Sequence, residues 1–242
     1  MSLLSNLTTS NDIADEKDSV GGVFVLDSGL YPAKVTLAYL SKSDGGALAL
    51  NLHLQTEDGK DIRQQLWMSS GTAKGGNNFY IDKKGDKQYL PGFLHANSLA
   101  LLTVGKEISQ LETETKVVNV YSSTAKAEVP TNVEMITELL GQDIIVGLIK
   151  QTVDKTQKND SGDYVPTGET REENELDKLF RARDSKTTAE IKAQAPEAVF
   201  IHTWKKKWDG QVKDKTTKTA GTAGAPKAAA PAAGKPQNSL FS

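Results

Sequence analysis

Leu48-Ala49-Leu50-Asn51-Leu52-His53-Leu54-Gln55 decides the fold. Leucine takes every second position, and an extended backbone sends alternate side chains to opposite faces, so the four leucines line one buried face of a β-strand. Upstream, Leu30, Ala33, Val35, Leu37 and Tyr39 mix with Lys34 and Thr36 in another β-rich run, and Ser41-Lys42-Ser43-Asp44-Gly45-Gly46 between the two has turn chemistry. The pair reads as a hairpin. Downstream, Glu57-Asp58-Gly59-Lys60 is a second turn, after which Ile62, Gln64, Leu66 and Met68 alternate with Arg63, Gln65 and Trp67 as a third antiparallel strand. Three meandering strands by residue 68 point to a small barrel.

The period then changes. Phe93, Asn97, Ala100, Leu101 and Val104 recur at helical spacing from Pro91 onward, with Gly105 as the C-cap. Thr131 and Glu134 stand in a capping-box arrangement ahead of Val133, Ile136, Leu139 and Leu140, and predict a second helix ending at Gly141. Ile144 to Ile149 is β-branched and apolar on both faces, as a central strand requires. Asp154 to Gly168 reads as a hydrophilic loop. Over residues 171–183, Thr170 and Glu173 could cap a helix, whereas Asn174, Leu176, Lys178 and Phe180 fall on one side of a strand; the strand is the preferred reading.

Residues 1–20 are polar and acidic and predict a flexible leader, residues 21–209 a single domain, and residues 210–242 a disordered tail of Lys, Thr, Ala, Gly and Pro. Such a tail buries too little apolar surface to offset an ordering cost of about 1–2 kcal/mol per residue. Formal net charge is -2, so attraction to a polyanion must come from local patches rather than a global field. The chain has no cysteine, which excludes disulfides, thiolate metal sites and cysteine nucleophiles and fits a reducing cytoplasm. No run of about 18 apolar residues marks a membrane span. His53, His95 and His202 are scattered without metal-ligand spacing, and no phosphate-loop or nucleophile-elbow motif occurs. The expectation is a non-enzymatic protein without metal or cofactor. A nuclease using Glu172, Glu173 and Asp177 ranks third among the functional readings.

Two segments interleave aromatic rings with cations. One is Phe200-Ile201-His202-Thr203-Trp204-Lys205-Lys206-Lys207-Trp208; in the other, Lys74, Lys83, Lys84 and Lys87 are set among Trp67, Phe79, Tyr80 and Tyr89. Rings stack on bases and lysines neutralise phosphates, so the mixture suits a sequence-tolerant binder of single strands. Trp67, Phe79, Tyr80 and Trp204 are the expected stacking groups, and Arg63, Lys83, Lys84 and Lys205 to Lys207 the expected phosphate contacts. Lys74, Lys87, Tyr89 and Trp208 complete the candidate set. Structural roles stand beside these: Trp67 at a barrel edge, Phe79 and Tyr80 packing a hairpin on the core, and Val199, Ile201 and Thr203 forming a closing strand with Trp204 turned outward.

The order Gly29-Leu30-Tyr31-Pro32-Ala33-Lys34-Val35, Ser41-Lys42-Ser43-Asp44-Gly45-Gly46-Ala47, Trp67-Met68-Ser69-Ser70-Gly71, Lys74-Gly75-Gly76 and Leu90-Pro91-Gly92-Phe93 resembles the single-stranded DNA-binding proteins of tailed bacteriophages over roughly residues 20–183. The resemblance implies a mainly β (α+β) fold, an OB-like antiparallel five-stranded barrel with inserted helices and long hairpin loops. It also implies sequence-independent coating of single-stranded DNA in phage DNA replication, recombination or repair, in the host cytoplasm. Homo-oligomers, and replication or recombination proteins reached through the C-terminal tail, are further expected partners. Many such proteins carry an acidic tail ending in an aromatic residue; this tail is basic and ends Leu240-Phe241-Ser242. The competing reading is a virion or protein-interaction module that does not bind nucleic acid.

Overall fold

The computed structural model describes residues 25–122, 124–160 and 164–217; the leader and the tail beyond residue 217 lie outside the described residues. Strands β1 (Gly29–Lys42), β2 (Leu48–Thr56) and β3 (Asp61–Trp67) form the expected antiparallel meander, with Leu54 opposite Val35 and Ile62 opposite Leu54. Leu50, Leu52 and Leu54 are fully buried, as their alternation requires, and Ile62, Leu66 and Met68 join them. A short hairpin follows, β4 (Phe79–Ile81) with β5 (Lys87–Tyr89), and then helix α1 (Pro91–Thr103). Ala96, Leu99, Ala100 and Leu102 of α1 pack into the main core, and Gly105, at a left-handed φ of 78°, donates its N–H to the Ala100 carbonyl to end the helix.

Gly92 explains how the helix starts. A Cβ on it would lie 2.2 Å from the Trp67 carbonyl oxygen, so only glycine lets the first turn of α1 lie directly on the end of β3.

The second expected helix is a strand. Residues Glu114–Ser122 (β6) and Ala127–Met135 (β7) pair without a register shift, and a single 3-10 turn over Thr137–Leu139 precedes Gly141. Val129, Thr131, Val133 and Met135 alternate across β7, and ladder bonds to β6 outweigh the capping pattern. Glu134, rather than capping a helix, accepts hydrogen bonds from the Thr113 and Thr115 hydroxyls.

β8 (Asp143–Lys158) is the central strand expected from its apolar run, lying between β1 and β9 (Tyr164–Arg181). Ile144, Val146 and Leu148 face the main core while Ile145 and Ile149 face a second cluster on the other side. Within the segment expected as a loop from Asp154 to Gly168, residues 154–158 and 164–168 instead belong to the outer part of the β8–β9 ribbon, paired out to Lys158 opposite Tyr164, and residues 161–163 lie outside the described residues. The strand reading of residues 171–183 holds. A register shift places Gly147 opposite Lys178 and Leu148 opposite Leu176, skipping Asp177. Leu176 and Leu179 thereby reach the main core and Phe180 the opposite cluster, so the expected one-sided row is split.

The described residues form a mainly β fold with an antiparallel main sheet, and that sheet does not close into a barrel. Its path runs β3-β2-β1-β8-β9, and no backbone ladder joins β9 to β3. The seam is bridged by side chains: Gln64 Nε2 donates to the Asn174 carbonyl at 3.1 Å, and Gln64 Oε1 accepts from the Leu176 N–H at 3.3 Å. Asn174 in turn pairs through its amide with both the N–H and the carbonyl of Leu26.

Helices α2 (Thr188–Lys192) and α3 (Phe200–Trp208) follow β9, and β10 (Val212–Asp214) adds a parallel strand to β8. β10 lies beyond residue 209, and its ties to the sheet are local: Gly210 N–H donates to the Ser28 carbonyl, and Lys213 and Lys215 both pair with Glu175, at 2.9 and 2.7 Å. Burial favours the neutral form of Glu175, but hydrogen bonds from Lys215 and Lys213 win and hold its carboxyl below the usual glutamate range. A depressed folded-state pKa gives stability that is present above the unfolded value and lost as pH falls through the folded one. Acidification below the glutamate range, or Glu175→Gln at neutral pH, is therefore expected to free β10 first. Hydrogen exchange at residues 212–214 will show it as faster exchange there than in β1 and β2; equal protection in both would contradict this assignment.

Candidate nucleic-acid interface

The outward face of the β1–β3 meander is built by the same alternation that buries the leucines. Cross-strand neighbours on it run Leu37, His53 and Arg63, then Tyr39, Asn51 and Gln65, then Ser41, Ala49 and Trp67. Amide side chains tie the middle row together, with Gln65 Nε2 donating to Asn51 Oδ1 and Asn51 Nδ2 to the Ser41 hydroxyl. Tyr39 meets the His53 ring edge-on at 6.1 Å. Burial first, and then the Arg63 guanidinium, lower the His53 pKa, so at neutral pH it presents a flat uncharged ring. Arg63 and Trp67 are thus on one exposed surface, with Trp67 41% accessible.

From Trp67 the chain leaves the sheet as an arm. Lys74 ends an exposed 3-10 turn, and the stalk is fixed where Ser70 N–H donates to the Asn77 carbonyl and Leu90 N–H to that of Asn78. At the tip, Asp82 accepts from the N–H groups of Lys84 and Asp86, and Gly85 takes a left-handed φ of 90°. The bonds from Asp86 and Lys84 hold the Asp82 carboxyl below its usual range. Lys83 and Lys84 project from this turn into solvent.

Adjacent strand residues point to opposite faces, so the arm separates two rings that the sequence grouped together. Phe79 lies opposite Tyr89, which packs on Phe93 at 5.2 Å, and Lys87 Nζ sits 4.6 Å from the Phe79 centroid. Tyr80 is on the other face and half exposed.

The second aromatic–lysine segment is neither a strand nor outward at its first tryptophan. It is helical, and Trp204 is 3% exposed, packed edge-on to Phe180 and donating its indole N–H to Asp177 Oδ2 at 2.7 Å. A Cβ on Gly147 would lie 2.9 Å from the Trp204 ring, so the glycine in an otherwise branched strand makes the recess that receives it. Trp204 is therefore a core residue and leaves the stacking set. Trp208 is half-buried against the same cluster, with Lys207 4.7 Å and Lys213 6.0 Å from its ring. Lys205, Lys206 and Lys207 are exposed on α3, over β8 and β9 rather than over β3. One exposed ring of this segment, Phe200, was not among the candidates; it is 39% accessible at the start of the helix.

The candidate cations share an electrostatic property. Among the described residues Arg63, Lys74, Lys83, Lys84, Lys87 and Lys205 to Lys207 form no ion pair, as is also true of Lys42, Lys178 and Lys192 outside the candidate set, whereas Lys34, Lys106, Lys116, Lys150 and Lys155 each do. Glu172, Glu173 and Asp177 do not converge: Glu172 pairs with Lys150, Glu173 with Arg171 and the Gln151 amide, and Asp177 with the Trp204 indole. Among the described residues no three His, Asp or Glu side chains are grouped to hold a metal, and no helix is long and apolar enough to cross a membrane. No protein-family model matches the chain, and no curated protein matches it in sequence.

Proposed function

We propose that the chain is a sequence-independent single-stranded DNA-binding protein of the tailed-bacteriophage kind, acting in DNA replication, recombination or repair without catalysing a reaction. The observation that carries this reading is the row Arg63, Gln65, Trp67 on an exposed sheet face, continued by an arm whose cations are unpaired. Unpaired lysines release counterions when they meet phosphates, and exposed rings and flat amides stack on or bond to bases without selecting a sequence.

The path β3-β2-β1-β8-β9, with α1 after the third strand, supports reading the sheet as an opened OB-type barrel in which Gln64 stands where a closing ladder would run. Such barrels are partly open and grip oligonucleotides on the strand 2–3 face and the loops beside it. Here that face is the Arg63–Trp67 surface, and the corresponding loops are the Ser43–Ala47 turn and the β8–β9 ribbon. In a mobility-shift assay the protein should retard an oligo-dT strand more than a duplex of equal length, with the retardation falling as salt rises. Equal retardation of duplex and single strand would remove the reading.

One feature favours a protein partner as well. Val117 and Tyr121 are about two-thirds exposed on β6, whose only ladder partner among the described residues is β7. An open edge with apolar side chains invites strand addition. Binding through it would show little salt dependence, which separates it from phosphate binding.

A further inference from the structure

The aromatic–lysine segment at residues 200–208 loses Trp204 to the core, yet its first residue borders a cleft. This cleft, about 320 Å³, lies between α1 and the α2–α3 region. Pro91 and Leu94 form one wall, Thr188 and Phe200 the other, and Lys178 and Leu179 of β9 the floor. Its volume is at the lower end of what holds a small molecule, about 300–1,000 Å³. Leu94 is 47% exposed, and no carboxylate lines the cleft.

Phe200 is a fixed platform rather than a loose side chain. Its ring is stacked on Phe180 at 6.3 Å, and its N–H, with that of Val199, donates to Glu190 Oε1 at 2.8 and 2.7 Å. Thr187 and Glu190 form a reciprocal capping box, which fixes the Glu190 side chain. Lys178 Nζ lies 5.4 Å from the Phe200 centroid and forms no ion pair among the described residues. A lone ammonium over a held ring, at the floor of a largely apolar cleft, is the chemistry that takes a base with its phosphate.

The cleft also continues the interface described above. Gly92 touches the Trp67 backbone, Tyr89 packs on Phe93, and Leu94 is on the cleft wall, so the first turn of α1 links the Trp67 row to Phe200. We infer that this cleft is an outlying subsite for one unstacked base of a single strand leaving the β1–β3 face, with Phe200 as its stacking surface and Lys178 on its phosphate. The inference rests on the single-strand reading of the Arg63–Trp67 face.

The test compares oligo-dT of about eight nucleotides, within the roughly 4–16 that one OB fold covers, with oligo-dT of about thirty, which exceeds it. Phe200→Leu keeps apolar volume and removes the π-face. It should weaken binding of the long strand by about five- to 150-fold, the range of one lost base–aromatic stack, and leave the short strand unaffected. Lys178→Gln should flatten the salt slope for the long strand by about 0.7 and leave that of the short strand unchanged. If Phe200→Leu lowers the thermal midpoint, Lys178→Gln decides alone, since it leaves the ring packing in place. Wild-type affinity of both variants for both strands would overturn the subsite while the single-strand reading stands. Equal losses for both lengths would also overturn it, by placing these residues within the primary face. Failure of the wild-type protein to bind either strand would remove both proposals together.

Discussion

Trp204→Ala is expected to destabilise the protein by about 3–5 kcal/mol, the range for deleting a buried tryptophan, and to leave binding by the remaining folded protein unchanged. Three losses add. The cavity opens under α3 against Phe180 and beside Gly147, Asp177 loses its indole donor, and Trp204 is the most buried of the α3 side chains, Phe200, Ile201, Trp204 and Trp208, that hold the helix to the sheet. Against a total stability of about 5–15 kcal/mol the loss is large enough to read directly in urea unfolding. A variant that keeps its unfolding midpoint but loses affinity for single strands would contradict the assignment and return Trp204 to the interface.

The complementary substitution, Trp67→Ala, is expected to do the reverse. Trp67 is 41% exposed on the outer face of β3 and belongs to none of the buried clusters, so truncation costs little packing. It should weaken binding of single strands by about 1–3 kcal/mol, as loss of one base–aromatic stack does. Fluorescence anisotropy with labelled oligo-dT measures this, with circular dichroism to confirm the fold. An unfolded Trp67→Ala protein would mean that the ring serves the barrel edge, and unchanged affinity would mean that bases do not reach it.

The contrast between these two tryptophans shows what was legible in the sequence. Trp67 sits in a strand of strict alternation, where Ile62, Leu66 and Met68 claim the inner face and leave it only the outer one. That part of the fold follows from periodicity alone, as do the leucines of β2 and the two-sided burial of β8. Trp204 lies in a stretch that satisfies two periods at once. Val199, Ile201 and Thr203 alternate like a strand, while Ile201, Trp204 and Trp208 recur like a helix, and only the recess at Gly147, distant in sequence, favours the second.

β7 was obscured for a similar reason: Thr131 and Glu134 have the spacing of a cap, but the Thr131 hydroxyl donates to the Val129 carbonyl of its own strand and the Glu134 carboxylate accepts from Thr115 across the ladder. Between Asp154 and Gly168 the composition is that of a loop because both faces of the ribbon are solvated, so no apolar pattern marks its pairing. β10 is three residues long and held by ion pairs to Glu175, a contact to which composition is blind. The candidate site was legible as a set of cations and rings, but their division between the β3 face, the two faces of the arm and α3 depends on the fold.

The proposed role of the Arg63–Trp67 face and its arm is to hold single-stranded nucleic acid through stacking and phosphate contacts. Titrating the protein with oligo-dT at low and at moderate salt, while following tryptophan fluorescence, tests it most directly. Quenching that saturates at low salt and an affinity that falls steeply as salt rises are the expected results. Unquenched fluorescence together with no mobility shift at low salt would contradict it.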